Sequence, residues 1–192
     1  RRTDRHRGEK GALTMTEDMN RGASMEELLA SEKIENVDFT QCGGLGGLSF
    51  AGRALAGCLF DGADASGADF TGCRMERCSF RGANLSDAAF EEAALTDCDL
   101  AGANLANAQF VRAKLARVKL DGADMPRAFF HKIEFSESTW NGANLSEATF
   151  METASKLPDF TENNMEKTLF VNCALDGAKL TKVRAPMLVM QK

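Results

Sequence analysis

The most regular feature of the sequence is an apolar residue at every fifth position. From Leu45 to Leu180 each such position holds Leu, Phe, Met or Trp, except Ala65 and Ser155. The residue two positions earlier is usually Ala or Cys. Residues two apart point to the same side of an extended segment. Each five-residue unit therefore predicts a short strand with one small and one large inward side chain, followed by a corner.

This five-residue period excludes the two commonest regular structures. On a helix, five residues advance by about 500°, so the apolar residues would be spread around the axis. In a straight strand, an odd spacing sends successive apolar residues to opposite faces. The pattern instead predicts a coil that has one flat side for every five residues.

A longer repeat gives the number of sides. Phe recurs at every twentieth position from 50 to 170, Asp or Asn from 64 to 164, and Gly from 62 to 142. This longer step equals four of the five-residue sides, so equivalent residues stack in successive turns, as they do in solenoids. The pattern predicts an all-β, four-sided solenoid of about seven coils, roughly 34 Å long at the usual strand spacing.

Four segments resemble one known family. These are GANLS at 82–86, AGANLA at 101–106, DGADM at 121–125 and NGANLSEATF at 141–150. They are similar to the A(D/N)LXX repeats of pentapeptide-repeat proteins, and the resemblance covers about residues 34–185. It implies a right-handed quadrilateral β-helix.

The resemblance also implies a class of function. We expect a non-enzymatic scaffold or protein–protein interaction module. The best understood subgroup of the family mimics duplex DNA, binds DNA gyrase and confers quinolone resistance, so a topoisomerase-binding DNA mimic stays open as an alternative. A second alternative is an accessory or effector component of a bacterial secretion system, because family members also serve there.

The N-terminal part lacks the apolar period. Residues 1–22 are polar and charged and predict a disordered tail. Ser24 and Glu27 have the spacing of a capping box, which predicts a helix over 23–33 that covers the first strand edge. The repeat then begins at Ile34, one residue out of register with the later turns.

The C-terminal boundary is predicted from a proline. Pro186 has no backbone N–H to donate, so we expect it to end the solenoid, which then comprises residues 34–185. Residues 186–192 are predicted to form an apolar tail.

Charge and composition exclude several functions. Acidic residues outnumber basic ones by 28 to 23, so direct nucleic-acid binding is not expected. The sequence has no run of about 18 apolar residues that could span a membrane and no recognisable signal peptide. These features predict a cytoplasmic protein, and a secreted effector remains the alternative.

The charges alternate in sign from one turn to the next. Arg77, Asp97, Arg117 and Glu137 form one such column. Opposite charges on adjacent strands stabilise each other, so we expect a lattice of salt bridges. A DNA mimic needs a continuous acidic surface in place of phosphates, and the alternation weighs against that alternative. Further alternating sets are Lys114 with Glu134, Asp99 with Lys119, and Arg127 with Glu147 and Lys167.

No motif indicates catalysis, a cofactor or a metal. The six cysteines include no CxxC pair and no neighbouring His at ligand spacing, so reduced thiols packed inside the coil are expected. The chain has two His and no Tyr, and no glycine-rich phosphate loop. We therefore predict neither an enzyme nor a cofactor-binding protein.

One surface feature predicts a binding site. The outward positions beside the Phe column are polar in early turns, as in Ser49 and Asp69, but apolar later. A stacked apolar patch often marks an interface. We expect it to bind a protein partner, and a homodimer is one form of this. The alternative is that the tail from Met187 to Met190 folds back over it. The candidate interface residues are Val111, Phe129, His131, Met151, Leu169 and Val171.

Overall fold

The regular elements are one short helix and many strands of two or three residues, in a computed structural model that describes residues 13–14, 24–153, 159–174 and 178–191. The helix α1 comprises Met25–Ala30. The strands are β1 Leu13–Thr14, β2 Lys33–Glu35, β3 Ala54–Ala56, β4 Arg74–Glu76, β5 Ala94–Thr96, β6 Gln109–Val111, β7 Lys114–Ala116, β8 Phe129–His131, β9 Glu134–Ser136, β10 Thr149–Met151, β11 Leu169–Val171 and β12 Val189–Gln191.

The strands stack into two parallel sheets that form two sides of a coil. One sheet has the order β1-β2-β3-β4-β5-β7-β9, and the other has the order β12-β11-β10-β8-β6. From β3 onward, residues that pair between neighbouring strands of each sheet are one full turn of four sides apart along the chain, as Ala54 and Arg74 are. The remaining two sides carry isolated parallel bridges, such as Asp64 with Asn84. The fold is thus the predicted four-sided β-solenoid, with about eight turns where about seven were expected, since β12 adds a rung after the predicted end of the ladder.

Stacked aromatic rings fill the core. Phe110 lies between Phe90 and Phe130, with ring centroids 4.8 Å and 5.1 Å apart and planes within 12° of parallel. All three side chains are fully buried. Rings on adjacent sides, such as Phe70 and Phe80, meet edge to face. The regular Phe column in the sequence predicted this inner stack, which is confirmed.

Every fifth residue turns a corner in the left-handed backbone region. Glycine occupies many corners of the early turns, whereas later corners hold charged residues such as Arg117 (φ 54°) and Glu152 (φ 51°). This conformation costs a non-glycine residue about 1 kcal/mol. The corner amide is satisfied across the turns, since Arg117 N donates to Ser136 O at 2.7 Å. The corners thus project charged side chains in columns along the solenoid.

Helix α1 lies at the N-terminal end of the coil. The Ser24 hydroxyl accepts a hydrogen bond from Glu27 N, and the Glu27 carboxylate accepts one from Ser24 N, so the predicted capping box is confirmed. The helix ends earlier than expected, because residues 33–35 already form β2. Leu28 packs in the core with 1% of its surface exposed.

The first turn is one residue longer than the later turns, as the sequence predicted. Lys33 pairs with Ala54, whereas Ala54 pairs with Arg74 and the later strands keep this shorter step. The disorder expected for residues 1–22 concerns a segment outside the described residues, apart from Leu13–Thr14. Those two residues form β1 and pair in parallel with β2.

The ladder continues beyond Pro186, contrary to the sequence-based boundary at residue 185. Lys167 N donates to Pro186 O at 2.9 Å, and β12 pairs with β11. Proline is compatible here because its position in the turn does not use the backbone N–H in the ladder. At the equivalent Ser146 the N–H binds the Asn144 side chain instead. Residues 189–191 therefore form the last strand of the five-stranded sheet.

Candidate interaction surface

The six candidate interface residues lie together on the outer surface of the five-stranded sheet. Phe129 and Leu169 flank Thr149 in one column, since the three are successive register partners. The second column lies two residues further along each strand, on the other side of the buried Phe column. Its members are Val111, His131, Met151 and Val171. All six candidate side chains are half-buried. We call this outer surface the apolar face.

The apolar face differs from the same side of the early turns. There the Ser49 hydroxyl donates to the Asp69 carboxylate at 3.0 Å. The Asp69 carboxylate also accepts hydrogen bonds from Thr71, which lower the pKa of Asp69. This side of the solenoid thus changes from polar to apolar along its length.

The C-terminal residues extend the apolar face instead of covering it. Val189 stacks on Leu169 in the same column and is 42% exposed. The alternative that residues 187–190 fold back over the patch is wrong, because β12 pairs edge to edge with β11. Val189 was not predicted to belong to this surface, because the ladder was expected to end at Pro186.

His131 lies at the edge of the apolar face beside a charged cluster. Its Nε2 is 3.5 Å from the Glu152 carboxylate, and its ring centroid is 6.1 Å from that of Phe129. Lys132 Nζ lies 3.2 Å from the same carboxylate. The Lys132 ammonium, together with His131, lowers the pKa of Glu152. His131 therefore joins the apolar face to a rim of ionised groups.

Two columns of corner residues form the rims of the apolar face. We call the column that precedes the strands the first rim, and the column that follows them the second rim. Lys167 Nζ lies 4.0 Å from the Glu147 carboxylate, and Arg127 Nε donates to Asn107 at 2.9 Å. The first rim comprises Asn107, Arg127, Glu147 and Lys167. The second rim comprises Arg112, Lys132, Glu152 and Asn172.

Another corner column, away from the apolar face, has the predicted alternation of charge. Arg117 donates to both carboxylate oxygens of Asp97, at 2.6 Å and 2.9 Å. These hydrogen bonds lower the pKa of Asp97 and raise that of Arg117. Some predicted pairs differ. Asp99 stacks on Lys119, but its carboxylate is 3.1 Å from the Arg81 guanidinium. Arg77 forms its salt bridge with the adjacent Glu76 instead of Asp97.

The polar and thiol columns have structural roles. Asn84 donates to Asp64 and accepts from Asn104, each at 2.9 Å, so the Asn/Asp column is a hydrogen-bonded ladder. The cysteines are free, and Cys58, Cys78 and Cys98 are buried in one column. In the part of the chain that the structure describes, no three His, Cys, Asp or Glu side chains are grouped so as to hold a metal ion.

Comparison of the sequence with family models places the chain among solenoids of this type. The pentapeptide repeat region model matches residues 48–125 and 68–150, which together span more than half of the 192 residues. The chain therefore belongs to the pentapeptide-repeat family. No curated protein matches its sequence. Across the described residues, no helix has the length and apolar character needed to cross a membrane.

Solved structures with this architecture include several pentapeptide-repeat proteins. Trypsin-treated QnrB1, a plasmid-mediated fluoroquinolone resistance protein, matches with a TM-score of 0.56 and 23% identity, over 80% of this chain and 81% of that one. This similarity concerns the fold. A protein from the Arabidopsis thaliana thylakoid lumen matches with a TM-score of 0.39 and 28% identity, over 54% and 66% of the two chains. HetL is involved in heterocyst differentiation regulation in the cyanobacterium Nostoc sp. strain PCC 7120. It matches with a TM-score of 0.31 and 16% identity, over 80% of this chain and 86% of that one.

Proposed function

We propose that the protein is a non-enzymatic interaction module and that the apolar face is its binding surface. The observation that carries this proposal is the stacking of apolar side chains in register on an outer surface. Outward positions elsewhere on the solenoid are mainly polar or charged, and many form hydrogen bonds or ion pairs. Stable folding of the repeat does not need these outward apolar groups, because the inward Phe column already fills the core.

The energetics of burial favour a partner on this surface. Covering apolar surface stabilises a complex by about 25 cal/mol per Å² before the costs of association. Phe129 has the largest side chain on the apolar face and lies near its centre. Large aromatic side chains at the centre of an interface often dominate its binding energy, so Phe129 is the expected hot spot.

The DNA-mimic alternative has less support from the charges. A mimic presents carboxylates to the groups that normally bind phosphates. Here many carboxylates are already engaged by a cation, as in Glu92 with Arg112 at 2.6 Å and Glu162 with Lys182 at 2.9 Å. The resemblance to QnrB1 is one of fold and adds nothing specific to this alternative.

Capture of partners by surface variants tests the proposal. Wild type, Phe129→Asp and Leu59→Asp are immobilised and exposed to native lysate. Leu59 is the matched control, because it is 41% exposed and lies on a different side of the solenoid. We expect wild type and Leu59→Asp to retain the same proteins and Phe129→Asp to lose them. Equal capture by all three, with unchanged self-association, would contradict the proposal.

A further inference from the structure

We propose that the apolar face binds a second copy of this chain, with the two solenoids side by side and antiparallel. The inference rests on the interaction surface proposed above and names its partner. In this arrangement a two-fold axis runs parallel to the strands, midway between β8 and β10. The β8 rung of one copy then lies over the β10 rung of the other, and β6 lies over β11.

The charges on both rims fit this arrangement. On the first rim, Arg127 faces Glu147 of the second copy, and the reverse contact forms by symmetry. On the second rim, Lys132 faces Glu152 of the second copy. All four side chains are at the solvent-exposed corners of the coil. Each rim therefore brings two acids and two bases together with alternating signs.

Several apolar groups between the rims meet across the same axis, whereas Leu169 faces Gln109 of the second copy. Val111 faces Val171 of the second copy, and His131 faces Met151. Phe129 lies over Thr149, close to the centre of the contact. The apolar face of one copy thus covers the apolar face of the other, as an isologous interface requires.

Two other two-fold arrangements place like charges together. If the two solenoids were parallel, the first rim would lie over the second rim at the same height. Arg127 would then face Lys132, and Glu147 would face Glu152. An antiparallel pair displaced by half a turn, with the axis through β8, would place Arg127 opposite Arg127 and Lys132 opposite Lys132. Like-charge contacts suppress such alternatives, and the axis midway between β8 and β10 places opposite charges together on both rims.

The size of the contact predicts a weak, reversible dimer. Six turns overlap, which gives a length of about 29 Å at the usual strand spacing, and each side is about 15 Å wide. The two copies together then bury roughly 900 Å², somewhat less than the ~1,200–2,000 Å² of stable complexes. We therefore expect a micromolar dissociation constant.

Charge reversal on one rim tests the register. Sedimentation equilibrium is measured for wild type, Arg127→Glu, Glu147→Arg and the variant with both changes. Each single variant places two like-charged pairs across the interface, so we expect dimerisation to weaken by about tenfold or more. The double variant restores opposite charges and should return to within about threefold of wild type. Arg117→Glu, on a corner away from the apolar face, is the control and should not change the dissociation constant.

The outcomes separate this inference from the proposed function. A wild type that stays monomeric up to about 1 mM overturns the second copy as the partner, whereas Phe129-dependent capture of another protein would still support the surface. A double variant as weak as the single variants overturns the antiparallel register. Thermal unfolding of each variant checks that the solenoid is intact, since Arg127 also binds Asn107 within its own chain.

Cross-linking gives an independent measurement of the same contact. Val111→Cys and Val171→Cys are introduced together in a chain that also carries Cys42→Ser and Cys173→Ser. The two new thiols are three turns apart within one chain, about 14 Å, which is too far for an intrachain disulfide. Facing sheets pack about 10 Å apart, too far for a direct disulfide, so the thiols are joined by a bis-maleimide linker of about 8 Å, which does not span the three turns within one chain. We expect a covalent dimer from the paired variant and none from Val111→Cys alone. A paired variant that stays uncross-linked would overturn the antiparallel contact.

Discussion

Arg117 holds the carboxylate of Asp97, one turn earlier in the solenoid, with two hydrogen bonds of 2.6 Å and 2.9 Å. Residues that are far apart in sequence thus become neighbours in a column. Corner residues project their side chains outward, and several of these columns alternate acids with bases, as the column that contains Asp97 and Arg117 does. Many acidic groups on the protein surface are therefore paired with basic groups, and they do not form a continuous acidic stripe.

Because so many surface acids are paired with bases, we expect that the protein does not inhibit DNA gyrase. A mimic of duplex DNA requires unpaired carboxylates in a continuous array, and the corner columns place Arg or Lys beside many of theirs. The measurement is a supercoiling assay with stoichiometric protein. Inhibition at that ratio would promote the DNA-mimic alternative over the interaction module.

Phe110→Ala should strongly destabilise the fold. Phe110 is fully buried between two parallel rings, and removing a buried Phe costs about 3–5 kcal/mol through lost burial and the cavity that remains. Urea denaturation gives the free energy of unfolding. A midpoint equal to that of wild type would mean that the ring does not support the core.

Asp124→Asn should stabilise the Asn/Asp ladder. Asn144 Nδ2 donates to Asp124 at 2.6 Å, but the Asp124 carboxylate cannot donate onward to Asn104, so the ladder is interrupted there. An amide at 124 could donate to Asn104, and one net hydrogen bond contributes about 0.5–1.5 kcal/mol. We expect a higher denaturation midpoint.

Asp64→Asn is the matched control for this prediction. The residue one turn earlier is Gly44, which offers no side-chain acceptor, so a new amide at 64 completes no ladder contact. We expect no gain in the midpoint. An equal rise in both variants would mean that loss of negative charge, and not the ladder, stabilises the protein.

Stability should fall at alkaline pH, partly because of Cys73. Burial raises the pKa of the Cys73 thiol from 9.0 to about 11. Between these values the unfolded chain loses the proton while the folded chain keeps it, so rising pH favours unfolding. In Cys73→Ala this contribution is absent, and Ala already fills the equivalent position at 93 in the next turn. We expect a shallower decline in the midpoint from pH 8.5 to 11 than in wild type, and parallel curves would contradict this.

Much of the fold follows from the sequence because equivalent residues stack on each other. The spacing of Phe90, Phe110 and Phe130 fixes the number of sides and the rings that meet, without further information. The charge columns follow from the same arithmetic. The partner within a column is less predictable, since Arg81 has a long side chain and reaches Asp99 diagonally instead of by direct stacking.

The ends of the solenoid are less predictable, because the repeat weakens there. The rule that proline interrupts a ladder is correct for positions whose N–H bonds to the next turn. Pro126 and Pro186 occupy a position where only the carbonyl is used, in bonds from Asn107 N and Lys167 N. Whether the N–H at a given position bonds to a neighbouring turn cannot be read from the sequence unless the register of the turns is known. As a result Val189 was missed as part of the apolar face.

Sedimentation velocity of wild type, Phe129→Asp and Leu59→Asp over a range of concentrations tests the central claim most directly. The Phe129 position faces outward, and Asp69 occupies it three turns earlier, so the substitution should leave the solenoid intact. We predict that wild type and Leu59→Asp move from monomer to dimer as concentration rises, whereas Phe129→Asp stays monomeric with an unchanged thermal midpoint. A Phe129→Asp protein that is folded and dimerises as wild type does would contradict the claim that the apolar face is the binding surface.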